Sequence, residues 1–113
     1  MKFVQEPMDL AELKSMAQQG FGTMVKAVVD VTTQIMAVDA ELHSDEEAFL
    51  LQNGSAQRDL WGINLYPEVD GPDWIEFDSM INVRPASGNP SRGVGDLLVQ
   101  ERIRAIVSRL IRR

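Results

Sequence analysis

Side chains capable of chemistry recur at every second position near the middle of the chain. They are Glu76, Asp78, Met80, Asn82 and Arg84. A strand over 74–83 would put these side chains on one face, because successive strand residues point to opposite faces. Asn64 and Tyr66 occupy the matching face of segment 60–66, which also alternates. We therefore predict a polar, ligand-binding sheet face, although a solvated antiparallel sheet has the same pattern.

The single histidine lies between two acidic residues, in the order Glu41, His43 and Asp45. On a straight strand this spacing would bring carboxylates and imidazole to one divalent metal, or pair His43 with an acid as a general base. His43, Glu41, Glu76 and Asp78 are therefore the catalytic candidates. A surface or capping histidine is the alternative, with Asp45 in the start of a helix. No G-x-S-x-G motif accompanies the serines, which argues against a serine nucleophile.

A long loop over 84–95 combines the residue types that hold anions. Its candidate ligand-binding residues are Arg84, Ser87, Asn89, Ser91 and Arg92. Guanidinium groups and hydroxyl donors bind phosphate or carboxylate, and this loop leads into the N-terminus of a predicted helix. It has neither P-loop spacing nor the GxGxxG of dinucleotide sites, and we predict no cofactor. The alternative is that the arginines pair with Asp59, Glu76 or Asp78 of the same molecule.

Capping and periodicity predict the elements that carry these side chains. A short strand is expected at 2–5, followed by a helix that begins after Asp9 and ends at Gly20. Branched residues from Met24 predict a hairpin with its turn near Thr33. Ser44 and Glu47 form a capping-box pattern that predicts a helix over 45–52, although Asn53-Gly54 equally suits a β-hairpin turn.

Asp96 is expected to cap a last helix with one apolar stripe. The stripe consists of Val99, Ile103, Ile106, Val107 and Leu110. The predicted fold is one α+β domain over 1–113, with an antiparallel sheet of four or five strands and the N-terminal and C-terminal helices packed on one face. The alternation also predicts that Trp61 is buried beside Ile63 and Phe77, and that Trp74 is more exposed.

The charge distribution limits the classes of partner. The net charge is -6, which argues against nonspecific nucleic-acid binding. Residues 39–78 include eleven acidic side chains and only one arginine, Arg58, and no lysine. Residues 84–113 include seven arginines and only two acidic side chains, Asp96 and Glu101. These parts would attract each other within one molecule, or between copies in a homo-oligomer.

The chain has no cysteine, no apolar run that predicts a membrane span and no signal-peptide pattern, and we expect a cytoplasmic protein.

Several strings between 41 and 92 also resemble a known family. They are Glu41-Leu42-His43, the segments 59–67 and 75–85, Gly88-Asn89 and Ser91-Arg92. They are similar to a family of small bacterial proteins, common in cyanobacteria, that is catalogued as a domain of unknown function. The resemblance spans nearly the whole chain and implies a bacterial, cytosolic, free-standing domain. It implies no activity, cofactor or catalytic residue.

Two functions from different classes follow from these residues. The first is a binding module in which the polar sheet face and the arginine-containing loop hold a small anionic ligand or an acidic partner segment. The alternative is a hydrolase-like enzyme that uses His43 with nearby carboxylates, with or without a divalent metal. The enzyme hypothesis requires His43 and Arg92 to meet Glu76 and Asp78 in one place.

Overall fold

The computed structural model describes residues 1–113 and has three helices and seven short strands. In chain order these are β1 (Lys2–Val4), β2 (Met8–Asp9), α1 (Leu10–Gln19), β3 (Val25–Asp30), β4 (Ile35–Val38), α2 (His43–Gln52), β5 (Leu60–Leu65), β6 (Ile75–Glu76), α3 (Leu97–Leu110) and β7 (Ile111–Arg112). Five strands form an antiparallel sheet in the order β1-β4-β3-β5-β6, and β2 pairs with β7 in a small parallel sheet. The predicted α+β class and the five-stranded antiparallel sheet are confirmed.

The main core lies between one face of the sheet and helices α1 and α3. The buried residues of this core include Ala27, Ile63 and Leu65 from the sheet, Leu13 from α1 and Ile103 from α3. The apolar stripe predicted for α3 is the face that packs here, with Val99 at its partly buried end. The Asp96 side chain accepts from the Leu98 N–H and caps the helix as predicted.

Helix α2 covers the opposite face of the sheet, which no sequence pattern predicted. Leu50 of α2 packs with Val28, Ala37 and Leu60 in a second, smaller core. Strand β3 therefore has apolar neighbours on both faces, which explains its nearly continuous run of valines and alanine. Phe3 and Phe49 meet edge to face at this core, with ring centroids 5.2 Å apart.

Helix α2 begins two residues before the predicted start. Its N-cap is Leu42, whose carbonyl accepts from the N–H groups of Asp45 and Glu46. The prediction that Ser44 caps this helix is therefore wrong. The helix ends at Asn53-Gly54, where Gly54 has φ +101°. This decides against the hairpin alternative for that pair.

Of the strand predicted over 74–83, only Ile75–Glu76 forms a strand in the structure. Residues Met80–Asn82 instead form a 3-10 turn, in which Ser79 Oγ accepts from the Ile81 N–H. A 3-10 turn does not preserve strand alternation, so the five side chains at alternate positions do not share one face. Asn82 is completely buried, whereas Met80 is exposed. The prediction of one polar face carrying all five side chains is therefore wrong.

The two tryptophans also reverse the expected order of burial. Trp74 is only 7% exposed and belongs to the main core, where the Arg113 guanidinium lies 4.3 Å from the centroid of its ring. Trp61 packs against the same core from β5 but is only partly buried. Its ring is covered by the Arg84 guanidinium at 4.3 Å. The predicted face of Trp61 is correct, and the predicted ranking of the two side chains is wrong.

The chain ends are joined to each other. Asp9 occupies the N-cap position of α1 but its side chain makes no capping hydrogen bond. Its carboxylate instead lies 3.0 Å from Arg112 Nη2, beside the β2–β7 pair.

None of the helices is both long enough and apolar enough to cross a membrane.

Candidate functional site

A row of polar side chains crosses three neighbouring strands on the face that also carries α2. Lys26 of β3 pairs with Asn64 of β5, and Asn64 pairs with Glu76 of β6. Residues directly opposite one another in a sheet share a face, so these three side chains stand side by side. Strand β6 ends at Glu76, which leaves this row at the edge of regular structure.

Glu76 receives two hydrogen bonds from β5. Asn64 Nδ2 donates to Glu76 Oε1 at 2.8 Å, and Tyr66 Oη donates to the same oxygen at 3.0 Å. Burial, followed by the effect of the Glu76 carboxylate, raises the pKa of the Tyr66 phenol. The predicted association of Asn64, Tyr66 and Glu76 is present in the structure.

Asn64 has one buried atom without a partner. The residue is 5% exposed, and its Oδ1 has no donor in the structure. Its Nδ2 donates to Glu76 and also to the backbone carbonyl of Asp78 at 3.3 Å. Rotating the amide by 180° would set its oxygen against these two acceptors, so the hydrogen-bond network fixes its orientation. A buried amide oxygen without a donor costs about 1–3 kcal/mol, which makes this atom the most informative one in the row.

His43 lies at the start of α2, against the same face of the sheet. Its Nε2 is 2.7 Å from the Ile63 carbonyl oxygen. A carbonyl can only accept, so Nε2 carries the proton and donates, and Nδ1 has no protein partner. Burial lowers the pKa of His43, which keeps the imidazole neutral at pH 7. Lys26, Asp78 and Arg92 all lie close enough to influence that pKa.

Arg92 of the loop 84–95 lies close to Asp78 and His43. Arg92 Nε donates to Asp78 Oδ1 at 2.7 Å, in a pair that is largely exposed to solvent. The backbone carbonyl of Arg92 accepts from the Ser79 N–H and from Asn82 Nδ2, which fixes the loop at this residue. The pairing of an arginine with Asp78 is the internal salt bridge that the sequence left as an alternative.

We call the residues brought together here the His43 cluster. They are Lys26, His43, Asn64, Tyr66, Glu76, Asp78 and Arg92. The cluster contains four side chains from the predicted polar face and one from the predicted loop site, together with the histidine. None of the four cavities of 390–570 Å³ is lined by a residue of the cluster.

Arg84, predicted to bind a ligand, is engaged with the backbone of its own molecule. Its guanidinium donates to the carbonyls of Leu60, Arg58 and Ile81 and stacks on Trp61. These contacts hold the start of β5 rather than the His43 cluster. Arg84 and Arg92 therefore have different partners and do not form one site.

Two other predicted ligand residues are buried, Asn82 just before the loop and Asn89 within it. Asn89 Nδ2 donates to the carbonyls of Asn82 and Gly93, and Asn89 Oδ1 accepts from the Gly95 N–H. Asn82 bonds to the backbone of Gly62. Both asparagines are less than 7% exposed. Their amide groups organise the backbone of 84–95 and are already hydrogen-bonded.

The two serines of the loop remain at the surface. Ser91 Oγ accepts from the Gly93 N–H at 3.2 Å, and Ser87 ends the 3-10 turn Pro85–Ser87. Neither side chain has a hydrogen bond to a residue of the His43 cluster.

The spacing of Glu41, His43 and Asp45 does not bring these side chains together. His43 is the first residue of α2, and a helix turns about 100° per residue, so positions two apart face different directions. Glu41 and Asp45 are exposed, whereas His43 is buried. No group of three or more histidine, aspartate or glutamate side chains is placed to hold a metal ion.

Sequence reasoning missed two residues near the cluster. Lys26 interrupts the apolar run of β3, and that break was the available signal. Glu46 stands among other acidic residues and gave no signal. Its Oε2 accepts from the Ala40 N–H, Oε1 has no partner, and burial raises its pKa to about 9. Glu46 is therefore a neutral acid at pH 7, beside the αL residue Asp39 with φ +71°.

Comparison with known proteins gives one match. No curated protein sequence and no solved structure matches the chain. One family profile, described as a protein of unknown function, matches residues 2–110 and so covers almost every element described above. The chain therefore belongs to the DUF5674 family of proteins of unknown function.

Proposed function

We propose that the protein is a binding module that holds a small ligand at the His43 cluster, and that this ligand carries an anionic group together with a hydrogen-bond donor. The single observation that carries the proposal is the buried, unpartnered Oδ1 of Asn64. A donor from a ligand would satisfy that atom, and buried polar atoms in folded proteins are nearly always satisfied.

Two cations near His43 support the anionic part of the ligand. Lys26 has no carboxylate oxygen within 4.0 Å, and its ammonium group lies 5.5 Å from the centroid of the Phe21 ring. Arg92 uses Nε for Asp78, so its two terminal nitrogens keep their donors. The Arg92–Asp78 pair is solvent-exposed, and exposed pairs contribute about 0–1 kcal/mol, so an anion can compete with Asp78 for this arginine.

The nature of His43 supports the same ligand. The neutral imidazole leaves Nδ1 as an acceptor, and both Nδ1 and Asn64 Oδ1 suit a ligand N–H or O–H. Glu76 is held by Asn64 and Tyr66, which keeps the acceptor side of the cluster fixed before any ligand arrives. The bacterial, cytoplasmic setting inferred from the sequence is part of this proposal, and an acidic partner segment would use the same two cations.

Nuclear magnetic resonance tests this function directly. The ¹⁵N-labelled protein is titrated with small amino acids, hydroxy acids and phosphate monoesters, which all combine an anionic group with a donor. Binding should shift the amides of Lys26, Asn64, Asp78 and Arg92 most. Arg92→Gln should weaken binding about tenfold, which corresponds to the loss of one charge-assisted contact.

The control is Arg58→Gln, which removes the same charge from an exposed arginine outside the cluster. Equal weakening by both substitutions would show that only net charge matters. Shifts that avoid the cluster for every compound would contradict the proposal.

A second candidate function has one observation in its favour. Nε2 of His43 is fixed on a backbone carbonyl and its Nδ1 is unprotonated, an arrangement that suits a general base acting on a water molecule. Asp78 is close enough to influence the pKa of His43, but Asp78 and Glu76 are both bonded to other side chains. Hydrolysis of activated esters that depends on His43 and increases as the imidazole loses its proton would favour this hydrolase-like function, whereas His43→Gln with unchanged rates would exclude it.

A further inference from the structure

A groove separates the β3–β4 turn from helix α3, on the side of the sheet away from α2. Its volume is about 480 Å³, which is within the range of small-molecule sites. Residues Val31, Thr32 and Gln34 form one wall, and α3 residues form the other. None of these residues belongs to the His43 cluster.

Two arginines flank the α3 wall of this groove. Arg102 and Arg109 are seven residues apart, which is about two helical turns, so both face the groove along one edge of α3. Ala105 lies between them and leaves space above the helix. Neither arginine has a carboxylate oxygen within 4.0 Å, although the chain as a whole carries a net charge of -6.

Arg109 is held in place by the opposite wall. Its Nη2 donates to the Gln34 carbonyl at 2.6 Å, which spans the groove from helix to turn. The remaining nitrogen donors of Arg109 have no partner in the structure. Arg102 makes no hydrogen bond or ion pair, so its whole guanidinium is available.

The turn that forms the other wall is internally fixed. Asp30 Oδ1 accepts from the N–H groups of Thr32 and Thr33, and Asp30 Oδ2 accepts from Ser55 Oγ. The Gln34 N–H donates to the Asp30 carbonyl, and Gln34 has φ +62°. The wall is therefore preformed, and both carboxylate oxygens of Asp30 already accept hydrogen bonds.

We propose that this groove is a second binding site, which takes a small organic anion consisting of a carboxylate or phosphate group on an apolar body. The two guanidinium groups would bind the oxyanion, because arginine forms paired hydrogen bonds with carboxylate and phosphate oxygens. Val31 and Ile106 supply the apolar surface for the body of the ligand. Thr32 and Gln34 also line the groove. The site is independent of the His43 cluster.

Titration of the ¹⁵N-labelled protein with phenyl phosphate, with benzoate and with uncharged benzyl alcohol tests the proposal. At least one anion should produce saturable shifts centred on 31–34 and 102–109. The arm that saturates at the lower concentration identifies the oxyanion as phosphate or carboxylate. Benzyl alcohol should bind at least tenfold more weakly than the better anion, because it lacks the charge.

Substitutions on α3 make the test specific. Arg102→Gln should reduce the affinity for the better anion about tenfold. Arg104→Gln is the matched control, since Arg104 lies on the same helix but contacts Phe77 and the Pro72 carbonyl instead. Thermal melts would verify that both variants are folded.

Any of four results would overturn the proposal. The first three are the absence of saturable shifts with either anion, equal binding of benzyl alcohol, and equal weakening by Arg102→Gln and Arg104→Gln. Shifts confined to Lys26, Asn64, Asp78 and Arg92 would also reject this groove while supporting the His43 cluster, so the two proposals fail separately.

Discussion

The side-chain amide of Asn82 pairs with the backbone of Gly62 as a neighbouring strand would. Asn82 Oδ1 accepts from the Gly62 N–H at 2.8 Å, and Asn82 Nδ2 donates to the Gly62 carbonyl at 2.9 Å. Strand β6 pairs with β5 only at Asn64 and Leu65, so this amide satisfies the edge of β5 beyond the end of β6. The same Nδ2 also donates to the Arg92 carbonyl and thereby connects the sheet to the loop that carries Arg92.

Asn82→Ala should destabilise the protein by about 3 kcal/mol, because it leaves the buried polar groups of Gly62 unsatisfied. Urea denaturation measures this change. Asn53→Ala is the control, since Asn53 is exposed and makes one side-chain hydrogen bond to the Phe49 carbonyl. Similar losses in the two variants would show that the pairing with Gly62 contributes little.

Gly62→Ala should destabilise the protein because Ser79 occupies the position of the new methyl group. A Cβ on Gly62 would lie 2.5 Å from Ser79 Cβ, and overpacking of this kind costs about 1–3 kcal/mol. Adding Ser79→Gly should recover part of the loss, which a double-mutant cycle detects as coupling. Gly93→Ala, whose nearest neighbour would be 3.5 Å away, should be nearly neutral. Strict additivity of the two substitutions would contradict this close approach.

Arg84→Lys should lower stability by about 1–3 kcal/mol. Lysine cannot reproduce a guanidinium that donates to the carbonyls of Leu60, Arg58 and Ile81 while it stacks on Trp61. Chemical denaturation of this variant and of Arg58→Lys, its exposed control, gives the comparison. An unchanged midpoint for Arg84→Lys, together with weaker anion binding, would instead assign Arg84 to a ligand site.

Stability should fall between pH 7 and 9 because of Glu46. Burial raises the pKa of this carboxyl from 4.5 to about 9, so the folded chain keeps a proton that the unfolded chain has already released. The stabilisation from this proton is complete below the unfolded pKa and is lost as the pH rises through the folded pKa, by up to about 1.4 kcal/mol per pH unit. Burial lowers the pKa of His43 below its ordinary value of 6.5, which itself lies below this window, so His43 contributes little to the slope.

Denaturation midpoints at pH 7, 8 and 9 measure the slope. Glu46→Gln should flatten it, since the amide does not ionise, while Glu41→Gln at the exposed position before α2 should keep it. A slope that survives Glu46→Gln would mean that a different titrating group causes it.

Much of the architecture could be predicted from local patterns. The stripe of α3, the Asp96 cap and the β3–β4 hairpin depend on neighbours in sequence, and all three are present. The alternation of 60–66 likewise gave strand β5 and the correct face for Trp61. These features follow from periodicity and capping, which act within a few residues.

The candidate site depended on tertiary contacts. Segment 74–83 alternates as a strand should, but Ser79 and Asn82 find their partners in a 3-10 turn and in the backbone of Gly62, twenty residues away from Asn82. Position in the fold likewise decided that Arg84 stacks on Trp61 while Arg92 reaches Asp78. The sequence by itself determined most of the helices and strands and which residue types are available. Only the tertiary structure decided which polar atoms are already satisfied and which, like Asn64 Oδ1, are left without a partner, because hydrogen-bond partners are assigned by proximity in space.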